Sequence, residues 1–98
     1  MSYVEDVSRH RRLAVLRHLA EVPEYVSNAS ILQDILGKLG LPVSCDGLLT
    51  EISWLKEQGF VAADIDAAFV VVTATRRGVD LAKGLASHPG VQRPRPRV

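Results

Sequence analysis

Cysteine is almost missing from this 98-residue chain, with Cys45 the single thiol. One thiol excludes an internal disulfide and a cysteine-based zinc site. Aromatic residues are scarce at 5%, so the lone tryptophan, Trp54, stands out. No apolar run approaches the roughly 20 residues of a membrane-spanning helix. The start, "MSYVEDVSRHRRL", places acids ahead of any apolar stretch and lacks the pattern of a signal peptide. No Ser/His/Asp set, paired carboxylates or glycine-rich phosphate loop is legible. The three histidines are scattered; His10 and His18 fall about 80° apart and two turns distant on a helix, too far to share a metal. They and His88 are expected to be solvated. These absences predict a cytoplasmic protein that is not an enzyme, with no cofactor, no bound metal and no membrane association.

Length and composition fit one globular domain, with 47% hydrophobic and 23% charged residues. The net charge of +1 conceals a segregation. Residues 41–75 carry Lys56 against Asp46, Glu51, Glu57, Asp64 and Asp66, a balance of −4. Residues 76–98 carry Arg76, Arg77, Lys83, Arg93, Arg95 and Arg97 against Asp80, a balance of +5. The middle of the chain is acidic and its C-terminal part basic.

Periodicity predicts a mainly α fold with a small β-hairpin. A first helix, from about Glu5 to Glu21, sets Leu13, Leu16, Leu19 and Ala20 along one side, and Pro23 ends it. Arg9 and Arg12 align with that apolar stripe at its N-terminal end, so they either project beyond the core or meet a partner chain. "VPEYVSN" is an extended connector. Asn28 or Ser30 caps a second helix that buries Ile31, Leu32, Ile35, Leu36 and Leu39. A tight "GLPVS" turn leads to Ser44, the cap of a third helix from Cys45 to Gln58. Its inward face is Cys45, Leu48, Leu49, Ile52 and Leu55; its outward face is Asp46, Gly47, Thr50, Ser53, Trp54 and Glu57. "FVAADID" and "AAFVVVTAT" form a hairpin. Thr75 caps a last helix burying Val79, Leu81 or Ala82, and Leu85. Residues 1–87 form the domain, and residues 88–98 a disordered basic tail of alternating Pro and Arg.

Two helices joined by a four-residue turn, then a hairpin, make a helix-turn-helix followed by a wing. "LLTEISWLKEQGFV" and "TATRRGVDLA" resemble the recognition-helix end and the wing-to-helix step of winged helix-turn-helix regulators of the MarR, ArsR and PadR types. "RRLAVLR", "NASILQDIL", "WLKEQGF" and "PGVQRPRP" are similar to segments of small winged-helix proteins of Mu-like transposable phages and prophages. That resemblance implies a phage regulator or accessory factor that binds double-stranded DNA, expected as a homodimer.

In that picture the DNA contacts come from Ser44, Asp46, Gly47, Thr50 and Ser53 on the third helix. Arg76, Arg77, Arg93, Arg95 and Arg97 hold phosphates. Trp54, Arg9 and Arg12 are interface candidates. Three readings of Trp54 stay open: it packs within its own chain, anchors an interface, or touches nucleic acid. The acids of the third helix and wing oppose DNA, and Asp64 and Asp66 occupy the wing tip where a minor-groove reader carries Arg or Lys. The alternative is a winged helix that docks a phage or host protein.

Overall fold

A computed structural model describes residues 2–95 of the chain. Its elements run α1 (Tyr3–Glu21), a 3-10 turn (Pro23–Tyr25), β1 (Val26–Asn28), α2 (Ala29–Lys38), α3 (Cys45–Glu57), β2 (Val61–Ala63), β3 (Val71–Ala74) and α4 (Arg76–Ala82). The expected order of three helices, hairpin and closing helix holds, in a helix-rich fold with a small antiparallel sheet. No helix among the described residues is long and apolar enough to cross a membrane.

Local chemistry explains where the helices start and stop. Ser2 accepts from the Glu5 amide, so α1 begins at Tyr3, ahead of the expected Glu5. Asn28 caps α2 through the Ile31 amide at 2.9 Å, and Ser44 caps α3 through the Gly47 amide at 3.0 Å. Thr75 accepts from the Gly78 amide at the start of α4, while its hydroxyl donates to the Gly59 carbonyl at 2.7 Å. Each such cap contributes about 1 kcal/mol. Gly40 and Gly59, with φ of 76° and 81°, turn the chain out of α2 and α3 in a conformation that disfavours side chains.

The sheet holds one strand more than the hairpin. Val26–Asn28, expected as a plain connector, pairs antiparallel with β3 in the order β1-β3-β2, with Ser27 opposite Val72. Two short strands alone are marginal in water, and a third neighbour on β3 satisfies its other edge. Val72 and Ala74 face the core, so Val71 and Thr73 point outward.

The core is aliphatic: Leu16 and Leu19 of α1, Leu32 and Leu36 of α2, and Leu48, Ile52 and Leu55 of α3 are fully buried with Val72. A Cβ at Gly78 would strike the Phe60 carbonyl, so glycine lets α4 lie directly against the chain leaving α3.

Four expectations about burial give way. Ile31 and Leu39 lie exposed, because the fully buried ridge of α2 is Leu32–Leu36 and Leu39 is already the C-cap. Cys45 is exposed, because Ser44, Cys45 and Asp46 at the start of α3 all project beyond the core. Leu85 is exposed, because α4 ends at Ala82 and Gly84, at φ 77°, turns the chain away. The described part of the predicted disordered tail, residues 88–95, instead returns to the body. Val91 is 4% exposed, and the Gln92 amide donates to the Arg9 carbonyl at 3.1 Å. Burial of Val91 and this backbone hydrogen bond are two of the contacts that hold the segment to the body.

Candidate interaction surface

Helix α3 has two unlike outward halves. Toward its C-terminal end, Trp54 is half-buried and enclosed by its own chain. The Arg12 guanidinium stacks 3.9 Å from the indole centroid, and the His88 ring meets it edge-on at 5.3 Å. His88 also meets Phe60 edge-on at 5.5 Å, so one imidazole bridges the two aromatic rings. Gly90 lies directly over the indole: a Cβ there would fall 2.5 Å from Trp54 Cζ2. The Gly90 amide donates to His88 Nδ1 at 2.9 Å, which folds the His88–Gly90 turn back onto itself.

Arg12 ties this enclosure together. It donates to Glu51 Oε1 at 3.0 Å and to the Gly90 carbonyl at 3.0 Å. Glu51 is 4% exposed, the one charged residue buried among the described residues. Its carboxylate is compensated by a guanidinium that also roofs Trp54, which meets the requirement that a buried charge be paired. Arg77 continues the layer on the other side, 5.2 Å over the Phe60 ring and donating to the Gln58 carbonyl at the C-terminal end of α3. A cation there suits the helix dipole.

These contacts bear on the expectations for four residues. Trp54 and Arg12, taken as interface candidates, are engaged within the chain, and of the three readings of Trp54 the packing one is observed. Arg9 is half-buried, with Asp6 at 3.9 Å and its carbonyl accepting from Gln92. His88, expected in solvent, is part of the aromatic cluster. Glu51, His88 and Gly90 were not singled out by sequence. The available signal for Glu51 was its angle on α3, about 40° from Leu55 on the helical wheel.

The N-terminal half of the outward face stays bare. Ser44, Asp46 and Thr50 are exposed and Ser53 half-buried. The Ser44 oxygen is engaged as the cap, and the Thr50 hydroxyl donates to the Asp46 carbonyl at 3.0 Å. At Gly47, expected to admit a DNA backbone, an added Cβ would sit 2.8 Å from Val43 Cγ2, so a larger residue there would displace Val43. Arg76, Arg77, Arg93 and Arg95 are exposed, and Arg95 lies along α1, where its carbonyl accepts from Arg17 at 3.3 Å. Arg97 lies outside the described residues.

Between this bare half, the start of α2 and the β2–β3 hairpin runs a groove of about 590 Å³ lined by Ser30, Cys45, Leu49, Ile65, Phe69 and Val71, among others. Phe69 is 85% exposed and Val71 51%. Asp46 follows Cys45 in the chain and Asp64 and Asp66 flank Ile65, and all three aspartates are exposed. The lining itself contains no Lys or Arg. Among the described residues, no three His, Cys, Asp or Glu side chains group to hold a metal ion.

The uncharacterized protein gp26 of Escherichia phage Mu is 45% identical over 96 residues, covering 97% of this chain and 99% of that protein. The chain belongs to the family of phage Mu gp26. An uncharacterized protein of Haemophilus influenzae is 37% identical over 78 residues, covering 79% of this chain and 76% of its own length. No family model matches the chain. No solved structure matches it. The gp26 relationship supports the phage origin expected from the sequence, and its reach across both full lengths places the Trp54 enclosure, the groove and the basic C-terminal residues inside the aligned region.

Proposed function

We propose that this gp26-family protein is a non-enzymatic docking module on a winged-helix scaffold, whose groove between α2, α3 and the wing takes a basic, partly apolar protein segment. The observation that carries this reading is the groove's chemistry: exposed Phe69 and Val71 line it, and the exposed Asp46, Asp64 and Asp66 are chain neighbours of its lining residues Cys45 and Ile65. An exposed phenyl ring is a normal anchor for protein association, and carboxylates around it select cations and repel polyanions. The enclosed half of α3 supplies a rigid back for the site, since Trp54 and Glu51 are fixed from several sides.

Binding of duplex DNA is the second reading, in a phage regulatory or accessory role. It is favoured by the accessible N-terminal end of α3, where Ser44 and Thr50 would meet base edges or phosphate, and by exposed Arg76, Arg77, Arg93 and Arg95. Against it, phosphate contacts supply most non-specific affinity, and the α3–wing surface puts carboxylates where those contacts belong.

Titration of the isotopically labelled protein with a lysine/leucine-rich amphipathic peptide, and separately with mixed-sequence duplex DNA at low salt, separates the two. The peptide is expected to shift the amide resonances of Cys45, Leu49 and Ile65–Val71, with DNA leaving them unmoved. Shifts at these amides with DNA alone would overturn the docking reading.

A further inference from the structure

We infer that the cavity between α1, the end of α4 and the returning C-terminal segment binds a phosphate group, as free phosphate or as the end group of a small phosphomonoester. This site shares no lining residue with the α2–α3–hairpin groove and does not depend on the docking reading. Its place follows from how the chain closes on itself. Val91 is buried and its amide donates to the His88 carbonyl at 3.1 Å, while the Gln92 amide donates to the Arg9 carbonyl at 3.1 Å. Those bonds hold a turn beside α1. Under it lies a cavity of about 250 Å³ with Leu81 and Val91 in its apolar lining. The polar lining includes Arg9 from α1 and Ser87, His88 and Arg93 from the segment.

The chemistry of that lining selects an anion. Two arginines contribute to one small cavity, whereas among the described residues no Asp or Glu lines it. Asp6 meets Arg9 at 3.9 Å from outside the lining, an exposed contact that water weakens. The Arg93 guanidinium and the Ser87 hydroxyl have no hydrogen-bond or ion-pair partner among the described residues. His88 accepts from the Gly90 amide through Nδ1, so the neutral imidazole carries its proton on Nε2, as a donor. Guanidinium forks match phosphate oxygens and bind them in bidentate fashion. Size points the same way: about 250 Å³ lies just under the roughly 300 Å³ at which sites for drug-sized ligands begin. A small anion fits that range.

The test titrates the isotopically labelled full-length chain with sodium phosphate, with glycerol 2-phosphate, and with sodium chloride at matched ionic strength. Phosphate is expected to give saturable shifts at the amides of Arg9, Ser87, His88, Gln92 and Arg93. It should also raise the melting midpoint, because a ligand held only by the folded chain stabilises it. Chloride is expected to do neither. Arg93 is exposed, so Arg93→Gln should keep the native circular dichroism while weakening phosphate binding roughly tenfold. Arg93→Lys should fall between the two, since it keeps the charge and loses the fork. Glycerol 2-phosphate moving the same amides assigns a phosphomonoester end group; its silence beside a response to phosphate assigns the free ion. The inference is overturned if neither phosphate compound gives a saturable response, if chloride does as well, or if Arg93→Gln binds like the native protein. Shifts caused by duplex DNA alone would likewise overturn it, in favour of a nucleic-acid backbone contact. The lysine/leucine peptide reports on a separate set of amides, so the two outcomes stand independently.

Discussion

The two halves of α3 differ in what they ask of the rest of the chain. The C-terminal half carries the more demanding side chains, a buried carboxylate and an indole, and the molecule answers with Arg12, His88, Phe60 and Gly90. The N-terminal half carries small polar groups that cap their own helix or bond back to it, and it remains open. Side chains that are costly to leave in water recruit cover from distant parts of the sequence, whereas self-satisfied ones leave a surface available. Availability and stability are thereby divided along a single helix.

Substitutions on the enclosed half should act on folding. The largest effect is expected for Arg12→Met, which leaves Glu51 buried without its cation and removes the bond to Gly90. Breaking a buried pair from one side costs about 3 kcal/mol or more, seen as a lower midpoint in urea denaturation; adding Glu51→Leu to it should recover much of the loss. An unchanged midpoint would erase the distinction between the halves. Gly90→Ala comes next: the methyl group collides with the indole, costing roughly 1–3 kcal/mol, and Trp54 fluorescence should shift toward that of a solvated indole as the segment lifts. The smallest effect on stability is expected on the open half, where Phe69→Ser should stay within about 0.5 kcal/mol while abolishing the peptide-induced shifts in the groove. A large loss of stability there would mean that Phe69 serves the fold and not a partner.

What could be read from the sequence was whatever nearby residues decide. Asn28, Ser44 and Thr75 act as caps within three residues of their partners, and Gly40 and Gly59 mark helix ends by their own backbone preference. The inward turn of Leu48, Ile52 and Leu55 followed from helical period alone. Strand β1 escaped because three residues carry too little periodicity, and its pairing depends on β3, which comes much later in the chain. The docking of residues 88–92 escaped for a related reason: a lone valine among Pro, Gly and Arg resembles a solvated tail until the pocket that receives it is known. Glu51 was counted among charges opposing DNA, although it is neutralised by Arg12 and faces inward. The groove was invisible because Cys45 and Leu49 were assigned to the core, and Phe69 was taken as one strand residue among several.

A Cβ at position 90 would fall 2.5 Å from the Trp54 indole, so a side chain there requires the ring or the segment to shift. Across the gp26 lineage the two sites should therefore behave as one heritable character: descendants that trade the indole for a smaller group are released to place alanine or serine at 90, and those that keep it are not.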